Sequence, residues 1–461
     1  MTVSIIAVGV AAPSLRLPAA AVNEAWGRGG GRGHAAVCGP DEDVLTLSWA
    51  AAQRALDAAD ITADSVDGLY WGTSRPPFAE GPSWTHLAAT LSLGSSGIDG
   101  SLHSGSTHAG IEALVAASDA VASGRRRRVL VVTADAILPA TGTPIEAAAG
   151  AAAAALVLEQ GEGPAELRAT NTAWLPVLDR YRGDREPETR DAYDPRLFRE
   201  EVFLPLLTEV GKGTGAGETA AWALPDPDGR LGKALAKRLG LDSVASGSVR
   251  AELGDCGAAA PLVGAAGSLR QPGSVIALGY GGGRATAVSI DVRSPVPGAD
   301  DVAQITSSGR TADYTEVLRA REVLKPTGES VEMAVPPGSA MFVRGNSEVL
   351  GLVGARCVDC DTVNTPPSIH PVCIACGGDR FELVSLARTG TVQTFVINHT
   401  MPAPFVAPLP LVVVDLDDGS RIQLQGTGTG ADIEIGSPVH LELRRYTVER
   451  GVPIYGWKVS A

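Results

Sequence analysis

The chain has 461 residues, enough for about three domain-sized units, and its 44% hydrophobic and 20% charged residues describe an ordinary soluble globular protein. A net charge of −14 argues against nucleic acid or an anionic membrane surface as partner. No apolar run approaches the roughly 20 residues that span a bilayer, and six cysteines in so long a chain do not make a disulfide framework.

The opening MTVSIIAVGVAAP lacks the basic start of a signal peptide, so cytoplasm is the expected compartment, and Ser4 to Val10 reads as a first strand. Asp43 to Ala58 reads as an amphipathic helix and Gly68 to Trp71 as a short buried strand. A loop of small polar residues, Ser101 to His108, runs into a helix over Ala109 to Ala122, with strands at Val129 to Val132 and Ala154 to Leu158. A similar order recurs: helices at Arg230 to Leu239 and Ala259 to Leu269, then strands at Ser274 to Leu278 and Ala285 to Val292. Such alternation predicts a layered α/β domain with a mainly parallel sheet, and the repeated order suggests duplication. Residues 294–345 read as a connector with one helix at Tyr314 to Leu324. From residue 386 onwards the chain is strand-rich, with Thr389 to Asn398, Leu411 to Leu416, Arg421 to Leu424 and Val439 to Arg445 at the spacing of a small β-barrel.

Between them, Cys357-Val-Asp-Cys360 and Cys373-Ile-Ala-Cys376 form two CxxC pairs twelve residues apart. Each short knuckle aims two thiolates at one ion, and two knuckles complete a Cys₄ shell, so residues 346–385 are expected to be a zinc ribbon. A closed Cys₄ site leaves no coordination position for substrate; this zinc folds the chain. His370, between the pairs, reads as a loop residue.

These segments resemble two known families joined in one chain. CVDCDTVNTPPSIHPVCIACG, LARTGTVQTFVINHT and LVVVDLDDGSRIQLQGTG resemble the zinc-ribbon plus OB-fold proteins (domain of unknown function 35 type) that accompany thiolases and acyl-CoA enzymes. GPDEDVLTLSWAAAQRAL, STHAGIEAL, DPDGRLGKALAKRLGL, LGDCGAAAPLVG and ALGYGGGRATAVSIDV resemble the thiolase superfamily, on the side of the 3-hydroxy-3-methylglutaryl-CoA synthases and ketoacyl synthase III. The resemblance implies a duplicated thiolase-like layered fold over 1–293, the ribbon over 346–385 and an OB-fold over 386–461.

The family's chemistry does not carry over. An ungapped match puts Thr107 at the nucleophilic cysteine, and a short shift would put Ser104 there. Pro225 falls at the histidine, Asp228 at the asparagine of the same motif, Ser74 at the glutamate and Asp255 at the later asparagine. An alcohol needs a well-placed base, proline accepts no proton, and a carboxylate opposes an oxyanion. The match therefore implies no catalytic residues. His103 and His108 flank the turn, where either is a formal base for Ser106 or Thr107; the simpler reading is that they satisfy nearby groups. Cys256 is a relocated thiol nucleophile or a small core residue. Arg125 to Arg128 reads as a solvated helix end, and GYGGGR, Gly279 to Arg284, as a tight turn between strands.

The implied function is a non-catalytic accessory subunit of an acyl-CoA-processing complex, paired as a homodimer within a hetero-oligomer with a thiolase-type catalytic partner. The alternative is a self-sufficient acyltransferase using Thr107, Ser104 or Cys256. Strand binding to nucleic acid is disfavoured by Asp415, Asp417 and Asp418 on the barrel. Because the two cores are separate, removing 346–461 is expected to leave the α/β part soluble.

Overall fold

The computed structural model describes residues 2–94, 97–191, 194–216, 220–241, 245–324, 345–401, 407–449 and 451–461. Most of the connector, 325–344, lies outside the described residues. The chain divides into two compact units, one of residues 1–84 and 94–325, the other of 85–93 and 326–461.

The first unit is built on a nine-stranded sheet: β1 (Val3–Ala11), β2 (Gly68–Gly72), β3 (Asp99–His103), β4 (Arg128–Ala136), β5 (Ala151–Gln160), β6 (Ala165–Trp174), β7 (Ala221–Ala223), β8 (Gly273–Gly281) and β9 (Arg284–Val292). Their spatial order is β7-β8-β9-β6-β1-β5-β4-β2-β3. Within it the run β2-β4-β5-β1 and the run β7-β8-β9-β6 are equivalent, each with one parallel and then two antiparallel ladders. The two halves meet where Ser4 and Ile5 pair with Glu166 and Ala165. This is the topology of a duplicated fold. It also corrects the expectation of a mainly parallel sheet, because only β7-β8, β4-β2 and β2-β3 are parallel. The physical reason is local: Gly282 and Gly283, both at positive φ, turn β8 straight back into β9, where a parallel neighbour would need a crossover.

Two helices rich in small residues, Ala109–Ala122 and Ala260–Ala266, form the buried layer. Their Ala113, Leu114, Ala117, Leu262, Val263 and Ala266 share one core with Val129 and Val131 of β4 and Ala277 of β8. Ahead of the helix Val44–Ala58, Asp43 closes a capping box with Thr46. Residues 294–324 are part of this unit: Arg310–Thr311 pairs in parallel with Leu15–Pro18, and the helix Tyr314–Ala320 buries Val317 and Ala320 beside Leu15, Leu17 and Val37.

In the second unit, Val353–Cys357, Val363–Asn364 and Phe381–Ser385 form a three-stranded sheet carrying the cysteine knuckles. Five strands then close a barrel in the order Thr389–Asn398, Leu409–Leu416, Arg421–Gly426, Val452–Ser460, Pro438–Glu449. The third and fifth strands in sequence pair in parallel at Gln425–Lys458 and Gly426–Val459, as an OB-fold requires. Thr85–Leu93, distant in sequence, completes this unit: Arg388 donates to the Thr90 carbonyl at 2.8 Å and lies over the Trp457 ring, while His86 meets Tyr455 edge-on. No helix among the described residues is long and apolar enough to cross a membrane.

Candidate functional site

The turn Ser104–His108 is fixed from two sides before it enters the helix Ala109–Ala122. A Cβ on Gly281 would lie 2.4 Å from the Thr107 hydroxyl and 2.5 Å from the His108 amide. One on Gly110 would lie 2.0 Å from the Ala258 carbonyl. Only glycine permits both approaches. The end of β8 and the segment after Cys256 therefore close on the turn, and the Thr107 hydroxyl donates to the Tyr280 carbonyl at 2.7 Å.

A pocket of about 50 Å³ opens there, and its lining includes Thr107, Pro225 and Asp255, positions that lie far apart in sequence. Ser74 sits behind it, donating to Asp135 Oδ1 at 2.8 Å; Asp135 Oδ2 accepts from the Ala258 amide at 2.9 Å. Asp228 lies elsewhere: exposed, it accepts from the Arg230 and Leu231 amides at 2.8 Å, ahead of the helix Leu231–Leu239. Ser104 is exposed on the turn and is not among the pocket residues. Cys256 is wholly buried in the core, its Sγ 3.7 Å from the Gly254 carbonyl, and burial together with the neighbouring Asp255 pushes its thiol pKa up. A sealed, protonated thiol is no nucleophile.

Sequence reasoning missed Asp179, Arg180 and Asp226, which line the same pocket. Arg180 Nη1 donates to Asp255 Oδ2 at 2.7 Å and Nε to Asp191 Oδ1 at 3.0 Å. Burial works against its charge, but the two carboxylates outweigh burial and raise its pKa. Asp255 Oδ1 accepts from the Gly257 amide at 3.0 Å, so this carboxylate is held on both oxygens. Burial raises the pKa of Asp226, whose Oδ1 takes the Gly232 amide at 3.0 Å.

Asp135 is fully buried, and burial lifts its pKa to about 6 against the hydrogen bonds from Ala258 and Ser74. Between about pH 4 and pH 6 the native state thus holds a proton that the unfolded chain has released. Stability falls as pH rises through that window, by on the order of 3 kcal/mol for this group. Asp135→Asn, which does not titrate, should remove the fall. Urea midpoints of variant and parent should therefore diverge in the variant's favour from about pH 4 to pH 6 and run parallel above it; a difference constant with pH would contradict this.

The two histidines are engaged elsewhere. His108 is buried with Nε2 2.8 Å from Thr286 Oγ1 and Nδ1 3.2 Å from Glu112, and His103 Nε2 lies 2.8 Å from Ser101 Oγ. Arg125 and Arg126 face Asp99 at 3.5 and 2.9 Å; Arg127 and Arg128 face Glu159 at 3.9 and 2.7 Å.

In the second unit the Sγ atoms of Cys357, Cys360, Cys373 and Cys376 all lie within 4.8 Å of one another, with Cys357–Cys376 and Cys360–Cys373 at 3.6 Å. Zinc–sulfur bonds of ~2.3 Å in a tetrahedron give sulfur–sulfur edges of ~3.8 Å, so the four thiols fit that ion. The Ala375 amide and Asn364 Nδ2 point at Cys373 Sγ from 3.5 and 3.7 Å, supporting the charge of a thiolate. His370, after the turn Pro367–Ile369, is outside the group.

Residues 383–444 match the family described as the ChsH2 C-terminal OB-fold domain. Over 335 residues the chain is 28% identical to the hydroxymethylglutaryl-CoA synthase of Methanothermobacter thermautotrophicus, covering 67% of this chain and 95% of that one. A probable enoyl-CoA hydratase alpha subunit of Thermomonospora curvata is 35% identical over 106 residues, 23% of this chain and 33% of that one. Among solved structures, an HMG-CoA synthase complexed with CoA superposes with a TM-score of 0.61 at 16% identity, covering 69% of this chain and 90% of that one. The 3-oxoacyl-[acyl-carrier-protein] synthase III of Aquifex aeolicus does so with 0.53 at 18% identity, covering 63% and 99%. The synthases among these relatives are acyl-condensing enzymes. The chain is a thiolase-fold homologue of the hydroxymethylglutaryl-CoA synthases over most of its length, joined in one polypeptide to a C-terminal OB-fold domain of the ChsH2 type.

Proposed function

We propose that this chain is a non-catalytic subunit of an acyl-CoA-processing complex, in which a thiolase-type partner carries out acyl transfer to carbon. Its synthase-like unit forms a homodimeric scaffold, and its pocket receives the acyl group without reacting with it. The observation that carries this reading is the Thr107 hydroxyl, which donates its hydrogen bond to the Tyr280 carbonyl, no proton acceptor, in a pocket where Pro225 offers no base, Asp255 is spent on Arg180, and Asp179 and Asp226 accept the Gly283 and Gly232 amides. A hydroxyl becomes a nucleophile only beside a group that takes its proton. The relatives' acyl-CoA chemistry and the CoA bound to one of their structures support acyl-CoA as the ligand of the complex. The four cysteines would hold a structural zinc that orders the ribbon, in a cytoplasmic hetero-oligomer.

The test is to co-purify the untagged partner, identify it, and assay acyl-CoA exchange and condensation with each component alone and with the mixture. Activity is expected only in the mixture. Thr107→Ala and Ser104→Ala should each leave turnover of the assembled complex within a fewfold. A hundredfold loss with the complex intact would identify a hydroxyl nucleophile instead.

A further inference from the structure

The lining of the pocket says which acyl groups it accepts. Three carboxyl groups, Asp179, Asp226 and Asp255, face it together with one guanidinium, Arg180, the only cation among the described lining residues. That guanidinium is already bound by Asp255 and Asp191. Apart from Thr107, whose hydroxyl is engaged by the Tyr280 carbonyl, the rest of the wall is mainly apolar. Phe198, Phe203 and Tyr280 form an aromatic trio with centroids 5.3 to 5.8 Å apart, and Pro225, Pro227 and Pro261 complete it. Exposed apolar side chains flank the lining residues in sequence: Leu178 and Tyr181 around Asp179–Arg180, and Leu197 before Phe198. A buried anion needs a counter-charge or several donors. Here the charge of Arg180 is taken, and the remaining ionisable groups repel an anion.

Resting on the reading that this pocket receives the acyl group, we infer that it selects short, uncharged, apolar acyl groups and rejects acyl groups that carry a carboxylate. The hydroxymethylglutaryl group named for the relatives' product does carry one. Loss of the nucleophile and a change in acyl polarity are thus separate departures within one site.

Isovaleryl-CoA and malonyl-CoA test this, because a CH(CH₃)₂ group and a carboxylate have nearly the same size and differ in charge. Calorimetric titration of the intact chain at pH 7 should give isovaleryl-CoA at least tenfold tighter than malonyl-CoA, and malonyl-CoA no tighter than free CoA. In the Asp179→Asn/Asp226→Asn double variant, whose amide oxygens still accept the Gly283 and Gly232 N–H bonds, the affinity ratio of malonyl-CoA to isovaleryl-CoA should shift at least threefold towards malonyl-CoA. Malonyl-CoA binding as tightly as isovaleryl-CoA, or isovaleryl-CoA binding no tighter than CoA, overturns the inference and leaves the scaffold reading standing. Turnover by the isolated chain overturns the scaffold reading and leaves the binding ratio to stand by itself.

Discussion

Asp255→Ala is expected to destabilise the first unit by about 3–5 kcal/mol, because Asp255 is the partner of a buried guanidinium. Arg180 is largely buried between Asp255 and Asp191, and the substitution removes one of its two carboxylates while leaving its charge inside. It also removes the acceptor of the Gly257 amide. Breaking a buried pair from one side costs far more than replacing both partners, because the surviving charge has lost its solvation and gained nothing. Chemical denaturation of parent, Asp255→Ala, Arg180→Met and the double variant measures this. The double variant should lose clearly less than the sum of the single ones, and a single-variant loss below about 1 kcal/mol would mean that the pair is solvated and structurally idle. A carboxylate held by Arg180 and the Gly257 amide is not available to a reaction.

That ion pair marks where the sequence stops being legible. The cysteine knuckles were readable because ligands for one ion come in short local spacings, and Cys357 to Cys376 folds into one cluster as the spacing implies. The barrel strands were readable from alternation and turn residues, although Val452–Ser460 is known as a separate strand only from its pairing with Pro438–Glu449. Arg180, by contrast, meets Asp255 across 75 positions and Asp191 across 11, and no periodicity links them. Asp226 and Asp228 stand two residues apart in PDPDG, and residue matching favoured the second. The start of the helix Leu231–Leu239 shows what separates them: Asp228 holds the Arg230 and Leu231 amides from the surface, while Asp226 holds the Gly232 amide and also lines the pocket.

Strand direction was hidden for a related reason. Alternation of helices and strands gives layers but not the sense of each ladder, and β6 was missed altogether because its exposed Arg168, Ala169 and Thr170 hide the apolar rhythm. The duplication, only suggested by element order, becomes visible when β2-β4-β5-β1 and β7-β8-β9-β6 show the same sequence of ladder senses. Nor does anything local mark Thr85–Leu93 as part of the second unit, since the chain on both sides of it builds the first.

That membership alters what loss of the C-terminal part should do. The cysteine cluster is expected to bind about one zinc per chain, and metal analysis finding less than half an equivalent of zinc or iron would contradict it. Cys373→Ser, or chelation, should then melt the ribbon sheet, because metal binding by such a small unit is itself folding free energy, on the order of 10 kcal/mol in isolated zinc modules. The loss should be read as early exposure of the C-terminal core, reported by the buried Trp457, ahead of the main transition of the α/β unit. Deleting 346–461 goes further and reverses the expectation of a soluble α/β remnant. Leu87, Leu91 and Leu93 are buried in a segment that clusters with the C-terminal unit, and deletion strips away the partners that hold it, Arg388, Tyr455 and Gly351 among them. Exposing such leucines costs about 1.5–3 kcal/mol each in lost burial and leaves an adhesive apolar stretch. The truncated chain should therefore aggregate, and Leu87→Lys with Leu91→Lys in that background should restore a monodisperse species by light scattering. A truncated chain that is monomeric without those substitutions would mean that Thr85–Leu93 is covered by the first unit alone.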